Sequence, residues 1–229
     1  MSSADLSCGT VLGVDGGQPL SPALVEEIQA FCDRVEDTRD ASAVVVRLSG
    51  TGPAPDWPGA VGVDLVGRWE KALRRLERAP GAKIAAVEGL CGGAALEVLL
   101  TCDYRIGSPG ARVELPVRDG GVWAGMAVHR LVGQLGGAAA RRMVLFGAVL
   151  SAERALDLGL LDELAPDPHE AAARMAAEAA LLEPDELAIR RRLVHDAAVT
   201  GFEEALGMHL AACERTLSRL RGGVKGRAL

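Results

Sequence analysis

Apolar residues in the first half of the chain form short continuous runs that are separated by segments with helical spacing. The runs cover residues 8–14, 44–48, 84–87 and 104–106. Short apolar runs of this kind are typical of strands that are buried on both faces of a parallel sheet. We therefore predict one strand in each run.

A pattern with a period near that of a helix follows the first run. Ser21 is suited to cap a helix whose first residue is Pro22, because proline lacks an N–H group that would be unpaired there anyway. One apolar stripe then runs along that helix: Leu24, Ile28, Phe31 and Val35. Further helices are predicted at residues 65–79 and 93–100. Alternating strands and helices predict an α/β fold, with a sheet covered by helices.

The last part of the chain contains helical patterns alone, at residues 168–182, 185–198 and 202–220. We predict a core domain over residues 1–166 and a C-terminal helical region over residues 167–229. The last helix carries an apolar stripe formed by Leu206, Leu210, Cys213, Leu217 and Leu220. The stripe is compatible with a hydrophobic core and with an interface between chains, and the sequence leaves both open.

The composition limits the classes of function. The chain has 229 residues, of which 49% are hydrophobic, and a formal net charge of -6. It is long enough to bury a large core, and its charge argues against binding to nucleic acid. Five scattered cysteines show no metal-ligand spacing, and no window approaches the roughly 18 apolar residues that span a membrane. We expect a cytoplasmic protein without a metal site.

The segment 83–103 carries the clearest chemical signal. A buried strand meets the small residues Gly92, Gly93 and Ala94, which open into a helix that contains Glu97. Such a turn exposes backbone N–H groups that can hold an oxyanion beside one carboxylate. A second glycine turn of similar design, at residues 60–65, enters the preceding helix. Two donors of this kind indicate an oxyanion hole.

These turns, in this order, resemble those of the enoyl-CoA hydratase/isomerase family, also called the crotonase family. Residues 60–65, 89–103 and 142–162 carry the resemblance. It implies that the N–H groups of Val63 and Ala94 form the oxyanion hole, that Gly62, Gly92 and Gly93 support it, and that Glu97 is catalytic.

The same resemblance implies a crotonase-like (ClpP/crotonase) fold, in which a superhelix of repeated ββα units is followed by a C-terminal helical region. That region would form a homotrimer or hexamer and cover the active site. The substrate would be an acyl-CoA thioester, so coenzyme A enters as part of the substrate and no further cofactor is expected.

Glu97 is flanked by apolar residues from Ala95 to Leu100. Burial among them would raise the pKa of the carboxyl group toward neutrality and suit it to acid/base catalysis. The alternative is an exposed glutamate that stabilises the N-terminus of its helix.

The second carboxylate of the family is missing. Hydratases of this family commonly carry a second glutamate twenty residues after the first, behind a proline. That position is Val117, directly after Pro116. Glu114 and Asp119 are nearby candidates to replace it. A site with one carboxylate favours elimination or isomerisation over hydration.

Residues 14–25 and 116–126 look like the hydratase-like component of 3,5-dihydroxyphenylglycine biosynthesis. This finer resemblance implies a dehydratase that acts on a polyketide-derived thioester and assists a type III polyketide synthase in forming 3,5-dihydroxyphenylacetyl-CoA for antibiotic biosynthesis. The alternatives are a general enoyl-CoA hydratase/isomerase and a catalytically weak partner subunit.

Two sets of residues are candidates for substrate contacts. The tryptophans are suited either to line a ring-sized pocket or to pack in the core: Trp57, Trp69 and Trp123. Three basic residues are candidates to contact coenzyme A: Arg68, Lys71 and Lys83.

Overall fold

The structure, a computed structural model, describes residues 11–38, 43–50, 57–118, 121–123 and 125–225. The strands are β1 (Val11–Asp15), β2 (Ala43–Gly50), β3 (Ala82–Cys91), β4 (Tyr104–Gly107), β5 (Arg112–Val113), β6 (Val117–Arg118), β7 (Gly121–Val122), β8 (Leu150–Ser151) and β9 (Glu163–Leu164). The helices are α1 (Pro22–Asp37), α2 (Val63–Arg78), α3 (Gly93–Leu99), α4 (Met126–Phe146), α5 (Ala152–Asp157), α6 (Pro168–Ala179), α7 (Pro184–Ala197) and α8 (Phe202–Lys225).

The main sheet has the strand order β1-β2-β3-β4-β9, and each neighbouring pair is parallel. Strand β3 continues beyond the predicted residues 84–87, because Leu90 and Cys91 pair with Arg112 and Val113 of β5. The first predicted strand is observed from Val11 onward, and its residues 8–10 lie outside the described part of the chain. The predicted α/β architecture is confirmed.

Helix α1 begins where the sequence predicts. The Ser21 hydroxyl accepts a hydrogen bond from the Leu24 N–H at 3.2 Å, and Pro22 occupies the first turn. All four residues of the predicted stripe are buried. They belong to a cluster that also contains buried residues of β1, β2, β3, α2 and α3. This cluster is the hydrophobic core beneath the glycine turns.

Helix α2 begins at Val63, two residues before the predicted start. Its first turn lies away from the core, and the side chain of Val63 is 82% exposed. The apolar periodicity therefore starts one half-turn later than the helix does. The earlier start matters because it makes Val63 the first helical residue, directly after the N-cap Gly62.

The contacts of the chain divide into two compact units, Met1–Pro184 and Asp185–Leu229. Helix α6 belongs to the first unit, since it packs against β2, β3 and β4 through small buried residues such as Ala172 and Ala176. The division thus falls later than residue 166. The proposed roles of the C-terminal region in trimerisation and active-site cover stay predictions.

The apolar stripe of α8 does not form a buried core in this chain. Leu206, Leu210, Leu217 and Leu220 are between 38% and 62% exposed. Cys213 is exposed as well. That the stripe forms an interface between chains stays a prediction.

Candidate active site

The turn between β3 and α3 is tightly enclosed. Gly92 caps α3 with extended backbone, and Gly93 follows with φ of 51°. A Cβ atom on Gly93 would lie 3.1 Å from the Gly16 carbonyl oxygen and 3.2 Å from the Trp57 ring. Only glycine combines this backbone conformation with so little space. The turn is therefore held in one conformation by its surroundings.

Ala94 is the second residue of α3 and is fully buried. An N–H group at this position has no partner inside its own helix, because the first four N–H groups of a helix precede any available carbonyl. Among the described residues no other acceptor is recorded for it. The Ala94 N–H is thus suited to the donor role that the sequence predicts.

The turn at the start of α2 also places an extended N-cap glycine before the first helical residue, but this turn is not enclosed by neighbouring atoms. Gly62 has φ of -86° and ψ of 159°, and a Cβ atom there would meet nothing within 4 Å. Val63 is the first helical residue, so its N–H group also lacks a partner within the helix. Within the described chain, no acceptor is recorded for this group either.

Glu97 is buried in the core, with 2% of its surface exposed. Its Oε2 atom accepts a hydrogen bond from the indole Nε1 of Trp69 at 2.5 Å. Its Oε1 atom is also buried but has no hydrogen-bond partner among the described residues. One oxygen is therefore fixed by the protein, and the other is available to exchange a proton. The alternative of an exposed helix glutamate is wrong.

Burial raises the pKa of Glu97 from 4.5 to about 7. The Trp69 hydrogen bond opposes this shift by stabilising the anion, while the negative charge of Glu70 adds to it and the positive charge of Arg130 reduces it. Near neutral pH the carboxyl group is present in both protonation states. This is the condition for a group that accepts and then returns a proton.

Two of the three tryptophans, Trp69 and Trp123, act on the Glu97 carboxyl group, and Trp57 packs against Trp69. Trp57 and Trp69 are buried and meet edge to face, with ring centroids 6.2 Å apart and an interplanar angle of 69°. Trp123, which is partly exposed, approaches the same carboxyl group and lowers its pKa without a well-aligned hydrogen bond to Oε1. A Cβ atom on Gly125 would collide with Trp123 and lie 3.2 Å from Glu97 Oε1. That they line a ring-sized substrate pocket stays a prediction.

Trp69 links the helices that follow the two glycine turns by a hydrogen bond. It lies on α2, which begins at Val63, and it holds the carboxylate of α3, which begins beside Ala94. Sequence reasoning missed this role. The one available signal was the buried face of the amphipathic helix, which includes Trp69 and Leu73. That signal indicates burial, but it does not indicate which polar group the indole meets.

The position of the expected second carboxylate is Val117, whose surface is 49% exposed. It is the first residue of β6 and pairs with Val122. The predicted candidate Asp119 lies outside the described residues. Glu114 directly follows β5 and lies against the turn, since a Cβ atom on Gly92 would be 3.3 Å from its Cγ atom. Partial burial raises the pKa of Glu114, and no hydrogen bond joins it to Glu97.

The structure separates the three candidates for coenzyme A contact. Lys83 is fully buried, and its Nζ atom lies 3.1 Å from Asp103 Oδ2, so its proposed contact with coenzyme A is wrong. Arg68 is exposed, and its Nη2 atom lies 3.8 Å from Glu26 Oε1. Lys71 is exposed on the same helix. Arg68 and Lys71 stay predictions.

No helix among the described residues has the length and apolar character needed to cross a membrane.

Comparison with known sequences finds a match to the enoyl-CoA hydratase/isomerase family model over residues 64–219. A protein of Amycolatopsis orientalis named enoyl-CoA-hydratase is 47% identical over 209 residues, which cover 91% of this chain and 96% of that protein. The matched segment includes Glu97 and the whole turn at the start of α3.

Solved structures resemble the fold along most of the chain. An enoyl-CoA hydratase/isomerase from Marinobacter aquaeolei superposes with a TM-score of 0.77 at 23% identity, covering 96% of this chain and 92% of that one. An enoyl-CoA hydratase from Bacillus anthracis gives a TM-score of 0.77 at 21% identity, with coverage of 98% and 95%. At these identities the structures bear on the fold alone, and they agree with the predicted crotonase-like architecture.

Proposed function

Since this chain belongs to the enoyl-CoA hydratase/isomerase family, we propose that it is a hydro-lyase that removes water from a β-hydroxyacyl-CoA thioester with Glu97 as its acid/base residue. The observation that carries the proposal is the state of Glu97: buried, fixed through one oxygen and unpartnered at the other.

The reaction needs one group that moves a single proton. The Glu97 carboxylate takes the proton from the carbon next to the thioester carbonyl, and the electron pair moves onto the carbonyl oxygen as an enolate. When the enolate collapses, the C–O bond at the β-carbon breaks, and the departing hydroxide takes the proton back from Glu97. The products are an enoyl thioester and water, and Glu97 is again a carboxylate. A pKa of about 7 suits both halves of this cycle.

The N–H groups of Val63 and Ala94 would stabilise the enolate. Negative charge develops on the thioester oxygen in the transition state, and fixed donors lower its energy without having to reorganise. Both groups lack a partner within their helices. The buried hydrogen bond between Trp69 and Glu97 ties the two helices together, which supports a common site.

The substrate that we propose is a polyketide-derived thioester, dehydrated together with a type III polyketide synthase on the way to 3,5-dihydroxyphenylacetyl-CoA for antibiotic biosynthesis. Two features support it. Two indoles, those of Trp69 and Trp123, act on the Glu97 carboxyl group, and the partly exposed Trp123 offers a flat apolar surface to a ring-shaped acyl group. Val117 stands where a hydratase with two glutamates would have its second carboxylate, which leaves Glu97 to move the proton alone.

The remaining parts of the proposal concern assembly and location. We propose a homotrimer or hexamer in the cytoplasm, with coenzyme A bound as part of the substrate and no further cofactor. The exposed apolar stripe of α8 supports an association between chains.

The test compares the wild type with Glu97→Gln, which keeps the size of the side chain and an oxygen for the Trp69 hydrogen bond. Each protein is incubated with linear and ring-forming β-hydroxyacyl-CoA thioesters, and separately with a type III polyketide synthase and malonyl-CoA. Loss of a positioned acid/base group should lower kcat by about 100-fold to 10,000-fold. Full activity of Glu97→Gln on every substrate would disprove the acid/base role.

The same assays separate the alternatives. A partner subunit without chemistry of its own would stimulate the synthase equally well as Glu97→Gln. A general hydratase would hydrate a linear enoyl-CoA faster than it dehydrates the ring-forming substrates. Glu114→Gln is the matched comparison: a loss as large as that of Glu97→Gln would indicate a site with two carboxylates.

A further inference from the structure

The N-terminus of α4 lies next to Glu97 but has no cap of its own. Its N-cap residue is Gly125, which has no side chain to accept a hydrogen bond, and the first turn contains no acidic residue. Unpaired N–H groups and the partial positive charge at a helix start need an acceptor. No side chain of its own first turn supplies one.

Glu70 of α2 supplies this acceptor. Its Oε1 atom accepts a hydrogen bond from the Met126 N–H at 3.3 Å, and its Oε2 atom accepts one from Arg130 Nη1 at 3.0 Å. Met126 begins α4, and Arg130 lies one turn later. A single carboxylate therefore holds the first turn of α4 at two points.

We call the contacts of Glu70 with Met126 and Arg130 the clamp, and further charged residues of α2 adjoin it. Arg130 is 9% exposed, and its Nε atom lies 3.8 Å from Glu77 Oε1. The Oε2 atom of Glu77 lies 2.5 Å from Arg74 Nη1. Residues 70, 74 and 77 share one face of α2, because three or four residues complete a helical turn. This face meets α4, while the adjacent residue Trp69 points to Glu97.

We propose that Glu70 and Arg130 are positioning residues that hold the start of α4, and with it the Trp123 indole, against the free oxygen of Glu97. The clamped residue is close to Trp123 along the backbone. Gly125 directly precedes Met126, and a Cβ atom on Gly125 would touch both Trp123 and Glu97. The catalytic consequence rests on the proposed function of Glu97. The positioning of Trp123 does not.

The first test measures the indole directly. Trp57 and Trp69 are 3% and 1% exposed, whereas Trp123 is partly exposed, so acrylamide should quench mainly Trp123. Glu70→Ala should increase the quenching of tryptophan emission, and this increase should vanish in the Trp123→Phe background. Unchanged quenching in folded Glu70→Ala would overturn the proposal.

The second test measures catalysis. A displacement of about 1 Å can cost about 100-fold in rate, so Glu70→Ala and Arg130→Met should each lower kcat by about tenfold or more, with a smaller change in KM. The double variant should be no slower than the slower single variant, because the two residues act as one unit. Additive losses would contradict a shared clamp.

The pH dependence adds a readout that a purely structural role would not move. The charged groups that act on Glu97 are Glu70 from α2 and Arg130 from α4. Glu70→Gln removes a negative charge, so the acid limb of the rate profile should move to lower pH. Arg130→Met removes a positive charge and should move it to higher pH. An acid limb that stays in place in Arg130→Met would contradict the proposal, because loss of the positive charge and displacement of the Trp123 indole both raise the pKa of Glu97.

Arg75→Gln is the matched control. Arg75 also lies on α2 and pairs with Glu36 and Asp33 of α1, away from α4. It should leave quenching, kcat and the pH profile unchanged. If Glu70→Ala fails to fold, Arg130→Met replaces it in the quenching measurement, with the same expected increase and the same contradicting outcome. If Glu97→Gln is fully active, the proposed chemistry fails, and the quenching result still decides the clamp.

Discussion

The two glycine turns differ in how strongly their surroundings restrict them. At the start of α3, Gly93 adopts a left-handed conformation, and a Cβ atom there would crowd the Gly16 carbonyl oxygen and the Trp57 ring. At the start of α2, Gly62 has ordinary extended backbone, with open space beside it, and Val63 is exposed. The surroundings thus require glycine at position 93 and do not require it at position 62. The exposed turn can be altered without disturbing the core.

Of the changes at the two turns, the largest effect is expected from removing the proposed donor of the exposed turn. Val63→Pro deletes the N–H group at the first position of a helix, where proline is well tolerated, and Gly62 already has the extended backbone that precedes proline. Loss of one oxyanion-hole donor should lower kcat by about 100-fold to 1,000-fold. Val63→Ala, which keeps the N–H group, is the control for kcat, and thermal unfolding checks the fold. If Val63→Pro kept full activity, Val63 would not be a donor.

A smaller effect is expected in the buried turn, and on stability first. Gly93→Ala forces a side chain into the left-handed region, against the Gly16 carbonyl oxygen and the Trp57 ring. The cost should be about 1–3 kcal/mol in the free energy of unfolding. Gly62→Ala, which meets nothing, should cost less than about 1 kcal/mol. Chemical denaturation of both variants measures the difference, and equal costs would remove the contrast between the turns.

The sequence anticipated those parts of the site that depend on neighbouring residues in the chain. The burial of Glu97 follows from its apolar flanks, and the start of α3 follows from its glycines. Contacts between distant residues were not predictable in this way. The partner of Glu97 is Trp69, which comes from another helix. Lys83 was a candidate for coenzyme A contact, and its partner Asp103 follows α3, twenty residues further along the chain. Periodicity identifies a buried face, but only the packing of helices determines what that face meets.

The smallest of these effects is expected for a change at Trp69, which lies on α2 and binds Glu97 of α3. Trp69→Phe keeps an aromatic ring in the core but removes the N–H donor to Glu97 Oε2. This hydrogen bond stabilises the carboxylate and lowers its pKa, so its loss should raise the pKa of Glu97 further above its ordinary value. Less of the group is then ionised at neutral pH. The acid limb of the rate profile should move to higher pH, and kcat at pH 7 should fall by about tenfold, equivalent to about 1.4 kcal/mol.

The pH profile distinguishes this loss from a general weakening of the core. Leu73→Ala removes a fully buried side chain one turn further along α2, with no polar contact to Glu97, and serves as the control. It should lower the free energy of unfolding by about 2–5 kcal/mol and leave the acid limb in place. If both variants shifted the limb equally, Trp69 would act through packing alone, and its hydrogen bond would not couple the exposed turn to the buried one.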